Sequence, residues 1–216
     1  MSDLEIYSTR RLEALTDGVF AIAMTLLVLD VHVRDFGHIA SSSGLWQAIQ
    51  NIDGSIITFV ISFLLLGSMW AVHMRQFEFI KRADRHLTMI NTLRLLTVVF
   101  IPLTTSVAGN YSDVTLGRIL FPINFFLLAA VSYWEWNYAV TSPRKLYDSL
   151  SEGDKRYLNF RNATIVVISL LVVLLAAAIG EYAFLLFMIA PSITRKRFTD
   201  YKGQVKVPPK KTGTDL

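Results

Sequence analysis

The apolar residues of this chain fall into six blocks, most of them close to the roughly 20 residues that carry a helix across a bilayer core. No water is present there to satisfy backbone N–H and C=O groups, so a segment that enters must be helical or belong to a closed barrel. The blocks run Arg11–Val33, Gly54–Met74, Leu87–Ala108, Thr115–Ala139, Leu158–Gly180 and Tyr182 to about Thr194. This pattern predicts an all-α, polytopic membrane protein with six transmembrane helices. It divides the chain into an N-terminal stretch 1–10, a helical membrane domain 11–198 and a basic tail 199–216.

Composition supports the same class. Hydrophobic residues make up 53% of the 216 and charged residues only 18%, with a mean hydropathy of +0.44. Soluble domains average about 45–50% apolar and about 25% charged. The net charge of +4 does not point to nucleic acid, because the basic residues lie between and after the apolar blocks, where they meet lipid headgroups. There is no Cys, which excludes disulfides, thiol catalysis and Cys-ligated metals. The first block carries Glu13 and Asp17 and lacks a small-x-small cleavage pattern before Val33, so a retained helix is expected rather than a cleaved leader.

Loop charge sets the expected orientation. Arg10 and Arg11 precede the first block; Arg75, Lys81, Arg82 and Arg85 lie between the second and third. The region from Arg144 to Arg161 and the tail from Arg195 to Lys211 bring this side to 18 of the 21 basic residues, and the opposite loops hold only Arg34. Lys and Arg accumulate on the cytoplasmic side. A multi-pass membrane protein with both termini cytoplasmic is expected. Leu45–Ile52 reads as a short interfacial helix anchored by Trp46, and Glu181 marks a tight turn. The sixth block is short for a span, so a re-entrant segment is the alternative.

In this orientation the polar residues of three helices converge at the cytoplasmic end: Arg11 to Asp17 on the first, Trp70 and His73 on the second, Asn91 and Arg94 on the third. Glu13 and Asp17 form an unfavourable i,i+4 pair, so their partners must come from other helices or subunits. Such a knot fixes helix packing, forms a polar vestibule or couples to pH through His73; the spacing alone leaves these open. Beyond it, Ile22, Thr25, Leu26 and Leu29 share one face of the first helix. Arranged around an axis, such helices would stack apolar rings, which gate by dewetting, with a ring of hydroxyls, which replace part of a cation's hydration shell. Pro102 with Thr104, Thr105 and Ser106 predicts a kink relieved by hydroxyls. Tyr133, Trp134, Trp136 and Tyr138 read as an interfacial aromatic belt, and His32 and His38 as loop residues. No TVGYG filter, Walker loop, GxGxxG or HExxH occurs, no Asp or Glu is expected near the bilayer midplane, and no internal repeat is evident.

The run Arg11-Leu-Glu-Ala-Leu15-Thr16-Asp17-Gly18-Val-Phe-Ala-Ile22 resembles the R-x-x-x-F-S-D signature of the transmembrane protein 175 family, the endolysosomal potassium channels and their prokaryotic relatives. Trp70-x-x-His73, Asn91 and Pro102 with Thr104 or Thr105 extend the resemblance over roughly residues 8 to 198. Leu15 stands where the family has Phe and Thr16 where it has Ser, and Met74 and Arg94 are unusual.

The resemblance implies a homotetramer of single six-span units, with a central pore lined by the first helix and no pore-loop filter. It places Ile22 at the constriction, Thr25 at a hydroxyl ring linked to potassium preference and Leu29 at a further apolar ring, with Leu26 beside them. It places Arg11, Thr16, Asp17, Trp70, His73 and Asn91 in a hydrogen-bond network holding the first helix. The expected function is passive, potassium-preferring cation permeation, with Rb+ and Cs+ also passing. No cofactor, resident metal or catalytic residue is expected; K+ would pass transiently at Thr25, and the partners are other copies of the chain and the bilayer. A secondary transporter or proton-conducting protein using Asp17, Glu13 and His73 is the alternative, and a membrane subunit without a pore is a third.

Overall fold

The computed structural model describes residues 6–30, 41–50, 53–148 and 150–197. The tail, the 1–5 stretch and the loop bearing His32, Arg34 and His38 lie outside the described residues. Among the described residues seven α-helices follow one another: α1 (Arg10–Leu26), α2 (Ser42–Gln50), α3 (Asp53–Phe77), α4 (Arg85–Asn110), α5 (Thr115–Thr141), α6 (Glu152–Ile179) and α7 (Ala190–Arg197). Among the described residues two 3-10 stretches, Leu27–Asp30 and Gly180–Ile189, continue α1 and join α6 to α7. A two-residue antiparallel pair, β1 (Tyr7–Ser8) with β2 (Arg82–Ala83), ties the chain start to the α3–α4 connection in the register Tyr7 to Ala83.

Among the described residues five helices are long and apolar enough to cross a membrane, namely those at Arg10–Leu29, Ile56–Phe77, Arg85–Asn110, Thr115–Thr141 and Glu152–Ile179. The sixth block differs in kind from the others. It is wound as a 10-residue 3-10 run followed by the eight-residue α7. The 3-10 form rises about 2.0 Å per residue against about 1.5 Å for the α form, so this segment reaches roughly 30 Å despite its few residues. Trp46, on α2, is exposed.

Local chemistry explains where the helices begin and end. Asp84 caps α4 by accepting from Leu87 N–H at 2.8 Å, and Ser151 caps α6 by accepting from Asp154 N–H at 3.1 Å. Gly180 closes α6 at φ 61°, a left-handed conformation that glycine adopts at no steric cost. Gly117 permits another close approach: a Cβ there would sit 2.1 Å from the Tyr111 carbonyl oxygen. α4 runs through Pro102 without a break, and Thr104 Oγ1 donates to the carbonyls of Phe100 and Ile101, 3.1 Å from each. Thr105 Oγ1 donates to Ser62 Oγ on α3 at 3.0 Å, and Asn124 Nδ2 on α5 donates to the Thr97 carbonyl at 3.2 Å.

α4 packs on α5, α5 on α6, and α1 lies against α4 and α3. One apolar core, including Phe20, Leu27, Leu66, Val98, Phe125 and Val172, runs through the membrane-length part. A second closes one end, where Leu12, Phe79, Ile80, Leu87, Leu146 and Leu158 gather beneath the β pair. Trp136 belongs to this second core, which corrects its assignment to the aromatic belt. Its ring is buried and its Nε1 donates to Asn159 Oδ1 on α6 at 2.5 Å, so the indole N–H is satisfied inside the protein instead of at a headgroup. Trp134, two residues earlier and on the other side of α5, is exposed as the belt reading expected.

Candidate functional site

Two parts of α1 define the site: a polar anchor in its first turns and an uncovered face beyond them. Leu12, Thr16, Phe20, Ala23 and, just past the helix, Leu27 are buried, one turn after another. The other side, through Leu15, Ile22, Leu26 and Leu29, is left uncovered by the chain's own helices, with Ile22 62% and Leu29 73% exposed. The spacing i, i+3, i+4 that buries one stripe necessarily presents the other.

At the anchor, Thr16 Oγ1 donates to the Leu12 carbonyl at 2.8 Å and accepts from Asn91 Nδ2 at 3.1 Å. Asn91 Oδ1 in turn accepts from Arg94 Nη2. The same guanidinium nitrogen lies 2.8 Å from His73 Nδ1. Since an Arg side chain has no acceptor, His73 Nδ1 must be the accepting, unprotonated nitrogen, with the ring proton on Nε2. His73 is further held between Phe77, at 4.4 Å between ring centroids, and Phe20, at 6.4 Å and nearly parallel. Asp17 makes a separate contact: its Oδ1 accepts from Trp70 Nε1 at 2.9 Å, pinning α1 to α3 on the exposed side of the knot.

The structure thus brings Thr16, Asn91 and His73 into one chain of contacts and joins Asp17 to Trp70. Arg11 is placed elsewhere. It is exposed, and among the described residues no hydrogen bond or ion pair connects it to the network. The cation inside the knot is Arg94, whose Nη1 meets Glu135 Oε2 on α5 at 2.5 Å. Glu135 escaped the sequence reading because it stands within the aromatic run from Tyr133 to Tyr138. A signal did exist: Arg94 lies inside an apolar block, and a charge at that depth demands a partner. Gln76, also buried, extends the polar interior by donating to the Ser132 carbonyl on α5 at 3.3 Å.

A second hub outside the spans was likewise not singled out. Asp84 Oδ1 caps α4, while Oδ2 accepts from Tyr138 OH and from Arg144 Nη1, each at 2.8 Å. Burial by itself would raise this carboxyl's pKa. The Leu87 N–H, the Tyr138 hydroxyl and the Arg144 guanidinium outweigh that and hold it below the ordinary aspartate value.

On the uncovered face, Thr25 Oγ1 donates to the Ile22 carbonyl at 2.8 Å. With its proton committed to the backbone, the hydroxyl presents only lone pairs outward. Among the described residues no cluster of His, Cys, Asp or Glu is arranged to hold a metal ion.

Residues 11–102, which run from α1 through α2 and α3 to Pro102 in α4, match the family model described as the endosomal/lysosomal potassium channel TMEM175. A potassium channel of Chamaesiphon minutus is 34% identical over 141 residues, covering 64% of this chain and 69% of that one. The chain belongs to the TMEM175 family. A potassium channel of Streptomyces collinus is 41% identical over 101 residues, 47% of this chain; the match spans about half, 48%, of that relative's length. The human endosomal/lysosomal proton channel TMEM175 is 25% identical over 180 residues, which is 83% of this chain and 35% of the human protein. The crystal structure of a lysosomal potassium-selective channel TMEM175 homologue from Chamaesiphon minutus superimposes with a TM-score of 0.60 at 24% identity, covering 90% of this chain and 98% of that one. That likeness establishes the fold.

Proposed function

We propose that the chain forms a potassium-preferring cation channel of the cell membrane, a homotetramer in which α1 of each copy walls a central pore. In this reading the 3-10 run and α7 complete a sixth span and both termini are cytoplasmic. The observation that carries it is the division of α1 into a face packed against α3 and α4 and a face left uncovered at Ile22, Thr25, Leu26 and Leu29. In a tetramer that uncovered face stacks apolar rings at Ile22 and Leu29 around a hydroxyl ring at Thr25. The Thr25 oxygens, lone pairs outward, substitute for part of the potassium hydration shell, while the apolar rings set the barrier by dewetting. Selectivity built on mobile hydroxyls rather than a carbonyl cage is modest, so Rb+ and Cs+ pass as well. The buried knot at Thr16, Asn91, His73 and Arg94 positions α1 and takes no part in permeation. No cofactor and no catalytic step enter this mechanism.

Proton conduction is the second reading. It is favoured by the naming of the vertebrate relatives as proton channels and by the exposed carboxylate of Asp17 in the polar first turns of α1. Purified protein reconstituted in liposomes distinguishes the two. Reversal potentials in K+/Na+ gradients should show a potassium preference; equal permeabilities would remove the selectivity claim. A proton current that persists without permeant cations and is lost in Asp17→Asn would favour the second reading.

A further inference from the structure

At the end of the bundle away from the polar knot, α3, α4, α5, α6 and the 3-10 run enclose a cavity of about 500 Å³. That size falls among ligand sites, roughly 300–1,000 Å³. Phe121, Phe184 and Ile179 supply apolar wall, Ser112 and Tyr182 bring hydroxyls, and Arg118 brings the one cationic side chain among the described lining residues.

Arg118 is under-used by the protein. Among the described residues its buried Nε has no hydrogen-bond partner, and its Nη2 donates only to Thr115 Oγ1, at a long 3.4 Å. Among the described residues no carboxylate is paired with it. The side chain is nonetheless held in place, because its stem runs past Gly180, where an added Cβ would lie 3.7 Å from Arg118 Cδ. A buried guanidinium N–H without an acceptor is costly, and the described residues of the wall carry no opposite charge. The outer rim carries exposed Tyr182 and Ile179, an aromatic and an aliphatic side chain of the kind found at headgroup level.

We infer that this cavity holds the phosphate of an anionic phospholipid on Arg118, with the start of an acyl chain against Phe121 and Phe184. The Arg fork matches two phosphate oxygens. A small inorganic anion would satisfy the guanidinium and leave the apolar wall uncovered, whereas an amphiphile meets both. The site is independent of the permeation face, since it lies on the opposite end of the bundle from the anchor and includes no α1 residue.

Native mass spectrometry of the purified, delipidated full chain, reloaded with phosphatidylglycerol, phosphatidylcholine or inorganic phosphate, tests this. Phosphatidylglycerol should bind in preference to phosphatidylcholine, and Arg118→Met should weaken it about tenfold, the loss of one charge-assisted interaction. Ala178→Trp, which fills the cavity from α6 and leaves Arg118 intact, should weaken it as much, covering the case in which Arg118→Met fails to fold. Equal phosphatidylglycerol binding by the wild type and Ala178→Trp would overturn the inference. So would full displacement of the lipid by inorganic phosphate, which would make this a free-anion site.

Discussion

Arg94 on α4 and Glu135 on α5 meet at 2.5 Å between Nη1 and Oε2, with 1% and 0% of their side chains exposed. Two charges sealed from water stabilise the fold only relative to leaving one of them alone. Removing a single partner from such a pair costs about 3–5 kcal/mol, whereas apolar replacement of both is often neutral. Glu135→Ala is therefore expected to lower thermal stability in detergent markedly, and Arg94→Met with Glu135→Leu to recover most of it. A double variant no more stable than the worse single variant would show that the pair is not the unit at work.

Because Arg94 also reaches Asn91 and His73, and Asn91 reaches Thr16, the same pair connects α5 to α1 through α4. The recovered double variant should then fold yet conduct abnormally, since it lacks the guanidinium that orients Asn91. Liposome flux matching the wild type would confine the pair to a packing role.

Ile22 is exposed and apolar at the level where the proposed pore is narrowest. Ile22→Asn is expected to wet that level and raise K+ flux about tenfold or more, the effect of taking roughly 1.4 kcal/mol from the barrier. Unchanged conductance in a well-folded variant would remove Ile22 from the constriction.

Thr25 separates hydroxyl chemistry from shape. Thr25→Val keeps the branched outline and removes the oxygen, so the K+/Na+ permeability ratio should fall toward one, while Thr25→Ser should retain it. A ratio insensitive to both changes would place selectivity elsewhere.

Asp84 gives a pH signature outside the spans. Its carboxyl is held below the ordinary value, so its contribution to stability is fully present above the unfolded-state pKa of about 3.9 and fades as pH falls through the lower folded value. Unfolding temperature in detergent should drop on acidification below about pH 4, and Asp84→Asn should flatten that part of the profile. Asp84→Ala, which removes the cap and strands Tyr138 and Arg144, is expected to cost about 2–4 kcal/mol at neutral pH. An identical acid profile in Asp84→Asn would assign the transition to other carboxylates.

Much of the anchor was legible before the structure, because Thr16, His73 and Asn91 are polar groups forced into apolar segments at matching depth. Arg11 was grouped with them through its match to the family motif, but it emerges on the exposed side of α1 and Arg94 takes the inner position. Trp136 illustrates the same limit. Its neighbours Tyr133, Trp134 and Tyr138 define an interfacial stretch by composition, and only the rotation of α5 against α6 turns that one ring inward to Asn159.

The sequence by itself determined the membrane class, the helix-length blocks and the existence of a one-faced stripe on α1, since hydropathy and period are local properties that burial must obey. Tertiary structure alone decided which charges pair, that Glu135 answers Arg94, that the last block winds as 3-10, and that Arg118 lines a cavity with its Nε unpartnered among the described residues. The reason is physical: these depend on the relative rotation and depth of helices far apart in the chain, and a few tens of degrees decide whether a side chain meets a partner, a lipid or nothing.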